Sequence, residues 1–266
     1  MIRKNPLKEK LRRGEGAIGV FCNIPSPALV ELVGYLGFDF AIVDAEHGPQ
    51  DVETSEHMVR AADAVGLPAV ARVAVNLPQN LLRYLDAGSL GVQVPMVNSA
   101  DEAQAVVSAT KYPPLGRRGL ASVRASGYGV GLSTAEYVEM ANRETLVVVQ
   151  VETLQAMERV AQIAAVDQVD VVFVGPTDLS SSMGYPGQPT HPEVITAIER
   201  LGVEIQRAGK VAGTIARDAE AYRHWRQQGF QYLATTATSF IAQVGRQYLE
   251  SCREQERRVG KAAKPS

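Results

Sequence analysis

Two carboxylates, Glu152 and Asp178, stand at matching places after two apolar runs of the sequence. The run 146–151 leads directly into Glu152, and the run 169–174 leads through a Gly-Pro pair to Asp178. Such β-branched runs are typical of buried strands, and a Gly-Pro pair ends a strand and turns the chain. If the strands are parallel neighbours, two hard oxygen ligands meet at one cleft, which predicts a divalent cation. Taken singly, each acid is about as well explained as a helix cap.

Further polar residues accompany other predicted strands. His47 lies in an acid-rich turn after the second strand, Arg72 lies in the third, and Gln93 and Gln150 lie at the ends of the fourth and fifth. A histidine near Asp44 suits proton transfer at neutral pH, although a turn histidine held by backbone groups fits the same pattern. An arginine among apolar residues must meet an anion, which is either a core carboxylate or, as we favour, the substrate.

Short apolar runs alternate with longer amphipathic stretches, and these elements must position the polar residues. The pattern predicts strands at 17–22, 38–43, 69–73, 91–94, 146–151, 169–174, 211–215 and 231–234. It predicts helices at 27–36, 52–65, 78–85, 100–110, 153–164, 192–208, 219–227 and 240–250. This alternation is typical of an α/β fold with a parallel sheet, and eight strands predict a (β/α)8 TIM barrel with its site at the C-terminal strand ends. We expect a single barrel domain over residues 1–252 and a flexible tail over residues 253–266.

One segment, residues 111–143, is longer than a connection between strands requires. Long loops in compact domains are usually functional or mobile. Because it follows the fourth strand, we expect it on the catalytic side, as a lid, a substrate-binding loop or a subunit contact. Within it, Arg124 and Tyr128 are candidates for contacting a distal carboxylate or hydroxyl of the substrate. The motif 116–119, with two arginines, fits an anion site or a solvated turn.

Composition excludes several classes of protein. The 266 residues carry a net charge of -2, which argues against nucleic acid as a partner. No apolar run of about 18 residues predicts a membrane span, and the N-terminal residues lack the apolar core of a signal peptide, so we expect a cytoplasmic protein without a membrane partner. Cys22 and Cys252 are far apart and predict neither a disulfide framework nor a zinc site.

One divalent ion, a histidine and an arginine at a barrel mouth suit the chemistry of a 2-oxo acid. A bound ion with open positions polarises the keto group and stabilises an enolate, from which carbon–carbon cleavage or formation follows. Aldolases that work without a metal need a lysine Schiff base in an apolar pocket. No lysine of this sequence lies inside a predicted strand, so a metal-dependent mechanism is favoured.

Five motifs follow one another along the chain, at residues 37–49, 95–97, 111–119, 150–153 and 175–180. Together they resemble the 4-hydroxy-2-oxoheptanedioate aldolase family of class II pyruvate aldolases, over about residues 5–250. The resemblance implies a (β/α)8 barrel, a homohexamer and a divalent ion such as Mg²⁺, Mn²⁺ or Co²⁺. It implies reversible retro-aldol cleavage of a 4-hydroxy-2-oxo acid to pyruvate and an aldehyde, in aromatic catabolism. The alternative is a related lyase, either an acyl-CoA lyase of the citrate-lyase β-subunit type or an enolate-forming decarboxylase.

The resemblance also implies roles for single residues. It assigns the ion to Glu152 and Asp178, and the substrate to Gln150, Thr177 and Asp178 at a helix start whose N–H groups hold a carboxylate. It assigns the base to His47 and the transition-state arginine to Arg72. The acid that raises the basicity of the histidine falls on Asp86 and not on Asp44. Because Asp86 lies in a helix-to-strand connection, a neighbouring subunit or an irregular third helix would have to bring it to the mouth.

Overall fold

The eight strands pair in chain order into a closed parallel barrel in the computed structural model, which describes residues 4–262. The strands are β1 (Ala17–Cys22), β2 (Phe40–Asp44), β3 (Ala69–Arg72), β4 (Gly91–Val94), β5 (Leu146–Val151), β6 (Val171–Val174), β7 (Val211–Ile215) and β8 (Tyr232–Thr236). Pairing of β1 with β8 closes the ring. The predicted (β/α)8 TIM barrel is therefore confirmed.

Twelve α-helices accompany these strands among the described residues. They are α1 (Pro6–Arg12), α2 (Pro27–Tyr35), α3 (Val52–Ala64), α4 (Pro78–Asp86), α5 (Ala100–Thr110), α6 (Thr134–Glu144), α7 (Leu154–Glu158), α8 (Val160–Ala164), α9 (Pro176–Ser182), α10 (Pro192–Arg207), α11 (Ala219–Gln227) and α12 (Ala237–Ala262). Side-chain oxygens of Ser26, Asp51 and Ser99 accept first-turn N–H groups and so start α2, α3 and α5. In the part of the chain that the structure describes, no helix has the length and apolar character to cross a membrane.

The core has an inner and an outer layer because parallel strands are buried on both sides. Inside the barrel, the rings of Phe40 and Tyr232 pack with centroids 4.4 Å apart, and Phe173 meets Tyr232 edge-on at 6.0 Å. Gly19 makes room for this packing, since a Cβ atom there would lie 2.3 Å from the ring of Phe40. The outer layer joins the other strand residues to the helices. Tight packing of both layers fixes the strand ends from which the polar residues project.

The segment between α5 and β5 lies at the amino-terminal end of the barrel, so the expectation that it covers the catalytic side was wrong. The reason is that α5 returns the chain to the amino ends of the strands before the segment begins. Lys111 at its start donates hydrogen bonds of 2.8 and 2.7 Å to the carbonyls of Asn142 and Thr145, which bring its two ends together. The helix α1 lies at the same end, where Lys8 forms a 2.8 Å ion pair with Asp170.

Several helix boundaries differ from the predicted ones. The predicted helix 153–164 is broken at Arg159, whose φ and ψ of -113° and 10° separate α7 from α8. The last helix was predicted to end at residue 250 but continues to Ala262, and residues 263–266 of the predicted tail lie outside the described residues. The helix α9 begins at Pro176, within the predicted Gly-Pro turn and one residue before the helix start that the resemblance implies, because proline at the first position is already fixed in a helical φ.

Candidate active site

A cavity of about 580 Å³ opens at the C-terminal ends of the strands. It is bounded by residues from seven of the eight strands or their exits, all except β4, and by the start of α12. Six of the eight residues proposed from the sequence line it, namely His47, Arg72, Gln150, Glu152, Thr177 and Asp178. The remaining two, Asp86 and Arg124, lie elsewhere in this subunit. We refer to this cavity as the mouth.

Glu152 leaves β5 and is held in a fixed orientation, with only 2 % of its surface exposed. Its Oε1 atom accepts a 2.7 Å hydrogen bond from the backbone N–H of Met96, and its Oε2 atom accepts a 2.9 Å bond from Nε2 of Gln150. Met96 has a φ of 55°, an unusual conformation for a side chain of this size, and this conformation aims its N–H at the carboxylate. A Cβ atom at Gly175 would lie 2.5 Å from Oε2. The site therefore requires glycine at that position.

The electrostatic surroundings of Glu152 favour a cation. Burial, helped by the carboxylates of Glu46 and Asp178 and opposed by the hydrogen bonds from Met96 and Gln150, raises the pKa of its carboxyl group to about 7. Burial also raises the pKa of Glu46, with Asp44 and Asp178 acting in the same direction against Arg72. The Oε2 atom of Glu46 is buried and accepts no hydrogen bond. The acidic side chains around the mouth therefore carry more negative charge than Arg72 neutralises.

A divalent ion fits this donor set only if other ligands complete it. Among the described residues, no three His, Cys, Asp or Glu side chains form a group that could hold a metal ion by themselves. Mg²⁺ is commonly bound by one or two carboxylates together with water and substrate oxygens. Glu152 and Asp178 would supply two such carboxylates, which leaves coordination positions for a chelating ligand.

Arg72 is anchored at the mouth by two acids of the β2 exit. Its Nε and Nη2 atoms donate to both oxygens of Asp44 at 2.8 and 2.6 Å, and its Nη1 atom lies 2.9 Å from Oε2 of Glu46 in a charge contact without hydrogen-bond alignment. The guanidinium also lies 4.6 Å from the centre of the Phe21 ring. Arg72 is therefore paired with a core carboxylate, as one of the two alternatives predicts, and its guanidinium also lines the mouth. A planar, permanently charged fork fixed in this way is preorganised for an anionic substrate.

His47 projects into the mouth from the turn after β2, and 61 % of its side chain is exposed. Its backbone N–H donates to Oδ1 of Asp44 at 3.2 Å, so Asp44 shapes the turn and does not hold the imidazole. The Nε2 atom lies 4.0 Å from Oε2 of Glu46. The imidazole is thus accessible to a substrate, with a carboxylate close behind it.

Asp86 and Arg124 lie at the amino-terminal end of the barrel. Asp86 is the last residue of α4 and accepts a 2.7 Å hydrogen bond from Arg118. Arg124 pairs with Asp63 and donates a 2.9 Å hydrogen bond to the carbonyl of Ala87. Asp86 ends α4 and Arg124 lies between α5 and α6, so this subunit does not bring either residue to its own mouth. The expectation that Arg124 contacts substrate there is corrected, since the long segment lies at the other end.

The site also contains residues for which the sequence predicts no specific role. Glu46 was part of the acid-rich turn and Gln93 stood at a strand end, so a weak signal existed for both. The contribution of Met96 depends on its backbone N–H, for which the residue type gives no signal. Tyr232 opens β8 at the amino side of the barrel, and its side chain reaches Gln93 across the interior. Only the closed barrel reveals that proximity.

A larger cavity, of about 1250 Å³, lies at the opposite end between α1, α6 and the starts of β5 and β7. Its charged groups are largely engaged: Lys8 pairs with Asp170, and Lys210 donates to the carbonyls of Val166 and Val169 at 3.0 and 2.9 Å. In barrels of this kind, residues at the amino-terminal end serve stability and those at the C-terminal end serve catalysis. The mouth is therefore the candidate active site despite its smaller volume.

The fold and the mouth define a (β/α)8-barrel enzyme of the aldolase and lyase class. The family described as "HpcH/HpaI aldolase/citrate lyase" matches residues 17–242, and the chain belongs to this family. The resemblance found in the sequence motifs is confirmed.

Individual relatives agree with this assignment. A hydroxypyruvate/pyruvate aldolase of Cupriavidus necator is 36 % identical over 269 residues, covering 100 % of this chain and 99 % of that protein. A 4-hydroxy-2-oxo-heptane-1,7-dioate aldolase of Salmonella typhimurium is 36 % identical, covering 92 % of this chain and 93 % of that protein. The crystal structure of an HpcH/HpaI aldolase/citrate lyase family protein from Burkholderia cenocepacia superposes with a TM-score of 0.88 at 34 % identity, covering 94 % of this chain and 100 % of that one.

Proposed function

We propose that this enzyme catalyses reversible retro-aldol cleavage of a 4-hydroxy-2-oxo acid to pyruvate and an aldehyde, with the help of a bound divalent ion. The observation that carries the proposal is the convergence of two carboxylates, an amide donor, an arginine and an accessible histidine on one cavity. The aldolase names of the Cupriavidus and Salmonella relatives support the same reaction. We further propose that the enzyme acts in the cytoplasm on small molecules alone.

Glu152 and Asp178 would hold the ion, which is Mg²⁺, Mn²⁺ or Co²⁺. The raised pKa of Glu152 and the buried oxygen of Glu46 that accepts no hydrogen bond are the observations that fit a cation here. When bound, such an ion supplies a Lewis acid that polarises the 2-oxo group of the substrate. Gln150 would donate an N–H to the substrate beside it, and Thr177 and Asp178 would contact the substrate at the start of α9.

Arg72 and His47 would act on the reacting bonds. His47 takes the proton of the 4-hydroxyl group, the C4–O bond becomes the aldehyde carbonyl, and the C3–C4 bond breaks. Its electron pair forms the C2–C3 double bond of an enolate, whose oxygen charge the guanidinium of Arg72 stabilises. Protonation at C3 then yields pyruvate. Asp44 and Glu46 contribute by keeping Arg72 in place.

Asp86 enters this scheme only from a neighbouring subunit, because it is remote from the mouth of its own barrel. We propose a homo-oligomer, a hexamer by the family resemblance, in which the acid of one subunit orients His47 of another. The last helix supports association, since it exposes a series of large apolar side chains to solvent, namely Phe240, Ile241, Val244, Tyr248 and Leu249. Exposed apolar surface of this extent is typical of an interface between proteins.

The test is a pyruvate-release assay with a panel of 4-hydroxy-2-oxo acids. Exhaustive chelation should abolish release, and Mn²⁺, Mg²⁺ or Co²⁺ should restore it, because the ion supplies the Lewis acid that polarises the 2-oxo group. Full activity after metal removal contradicts the mechanism. Cleavage that requires a CoA thioester would instead identify the enzyme as an acyl-CoA lyase of the citrate-lyase β-subunit type.

A further inference from the structure

A chain of three hydrogen bonds crosses the barrel interior and ends on Glu152. The hydroxyl of Tyr232 donates to Oε1 of Gln93 at 3.0 Å, and Nε2 of Gln93 donates to Oε1 of Gln150 at 2.5 Å. Nε2 of Gln150 then donates to Oε2 of Glu152 at 2.9 Å. All four side chains are buried. We call these residues the relay.

The two ends of the relay determine the orientation of the amides between them. An ionised carboxylate only accepts hydrogen bonds, so Gln150 must turn its NH₂ group toward Glu152 and its carbonyl toward Gln93. Gln93 must then turn its own NH₂ group toward Gln150 and its carbonyl toward Tyr232. The hydroxyl of Tyr232 therefore has to donate. Reversing any one amide would place two acceptors against each other in a buried site, which is costly.

Tyr232 is a rigid donor at the far end. Its ring is packed by Phe40 and Phe173. Gly213 leaves room for the ring, because a Cβ atom there would lie 3.0 Å from it. Burial raises the pKa of the phenol well above its ordinary value, so the hydroxyl keeps its proton across the working range of the enzyme.

The relay leaves one hydrogen of Gln150 available to the mouth. Among the described residues, Nε2 of Gln150 makes only the bond to Glu152, and Gln150 lines the cavity. The orientation imposed by the relay therefore presents an N–H group, and not a carbonyl, to a bound ligand. An N–H group matches the carboxylate or keto oxygen of a 2-oxo acid, whereas a carbonyl would repel either one.

We propose that Tyr232 and Gln93 are positioning residues, which orient Gln150 and thereby both the ion-binding carboxylate and the donor to the 2-oxo acid. This proposal rests on the proposed function, because it assigns the end of the relay to the ion and the substrate. Partners behind metal ligands fix the ligand geometry, and their removal commonly weakens metal binding by 10- to 100-fold. The relay is therefore expected to affect metal affinity and KM, and not only stability.

The test compares Tyr232→Phe with Tyr112→Phe as the matched control. The Tyr112 hydroxyl is also buried, and it lies 3.4 Å from the hydroxyl of Tyr137 at the amino-terminal end of the barrel. Titration of the metal-free proteins with Mn²⁺, followed by electron paramagnetic resonance, should give a Kd about tenfold higher for Tyr232→Phe and unchanged for Tyr112→Phe. At saturating Mn²⁺, the KM for the 2-oxo acid should rise more than kcat falls in Tyr232→Phe. Melting temperatures of the metal-free proteins measure the structural cost of each change.

A second variant, Gln93→Met, tests the relay as a unit and keeps the test decisive if Tyr232→Phe folds poorly. Loss of Tyr232 or of Gln93 interrupts the same series of hydrogen bonds. The variant that carries both Tyr232→Phe and Gln93→Met should therefore bind Mn²⁺ no more weakly than Gln93→Met alone. Additive effects, or a Kd in both single variants equal to that of the wild type, overturn the proposal. If the wild type itself neither binds Mn²⁺ nor releases pyruvate, the proposed function fails and the role of the relay fails with it.

Discussion

At the scale of single residues, the mouth combines groups that would be costly to bury alone. Arg72 compensates Asp44 and Glu46, while burial raises the pKa of Glu152 and the carboxylates of Glu46 and Asp178 add to that rise. The mouth therefore has two distinct positions: Arg72 is preformed to contact an anion, and Glu152 is suited to bind a cation. The chemistry proposed above needs both.

Replacing Arg72 by Lys should lower kcat about 100-fold, the size of effect seen when one preorganised donor to a developing oxyanion is removed. Lysine keeps the charge but cannot match both oxygens of Asp44. Steady-state pyruvate release at saturating metal measures the change. Arg83→Lys, on the exposed side of α4, is the control and should retain full activity. Equal activity in the two variants would contradict the role of Arg72.

The residues that the sequence revealed are those whose type and position both carry information. Glu152 and Arg72 are charged residues within or directly after buried apolar runs, and such residues must have a partner, while Asp178 follows the next such run at an exposed position. Met96 and Tyr232 could not be found in this way. Met96 acts through its backbone N–H, and Tyr232 contacts Gln93 across the barrel, a residue 139 positions away in sequence.

At the scale of elements, strand ends position the site more than loops do. The strands were predicted well because buried parallel strands are continuous apolar runs between turn signals. The long segment before β5 follows the fourth strand in sequence, which predicts the catalytic side, but α5 lies between them and returns the chain to the amino-terminal end. The periodic pattern predicts neither α1 nor α9, because each has only seven residues, and the start of α9 follows from the family resemblance alone.

The turn from β6 into α9 gives a test at this scale. Gly175→Ala places a methyl group 2.5 Å from Oε2 of Glu152, so the carboxylate must move. The Kd for Mn²⁺ should rise about tenfold or more, measured by titration of the metal-free protein. Gly245→Ala is the control, since a Cβ atom on that α12 glycine meets nothing within 4 Å. Unchanged affinity in Gly175→Ala would show that Glu152 does not hold the ion.

At the scale of the whole molecule, the two barrel ends have different tasks. The mouth lies at the C-terminal end, and the amino-terminal end is closed by α1 and by the buried lysines Lys8 and Lys111. Lys8 and Lys111 both donate to the carbonyl of Thr145, so two ammonium groups share one small region. This crowding should appear in the pH dependence of stability.

Burial, reinforced by Lys8, lowers the pKa of Lys111 to about 7 from 10.5. Between these values the unfolded chain binds the proton more readily than the folded one, so this residue makes the free energy of unfolding rise with pH, by at most about 1.4 kcal/mol per unit. Lys111→Met should remove that rise, as measured by urea unfolding at pH 7 and pH 9.5. Lys210→Met, which replaces a half-buried lysine bonded to two carbonyls, is the matched control. An unaltered pH slope in Lys111→Met contradicts the assignment.

The central claim is that the mouth forms the enolate of pyruvate with the help of a divalent ion. Exchange of the C3 protons of pyruvate with solvent deuterium, followed by proton NMR, tests this step without any aldehyde. We expect exchange in the presence of enzyme and Mg²⁺, and its loss after chelation. Absence of exchange in the Mg²⁺-loaded wild type, or exchange undiminished by metal removal, would contradict the account.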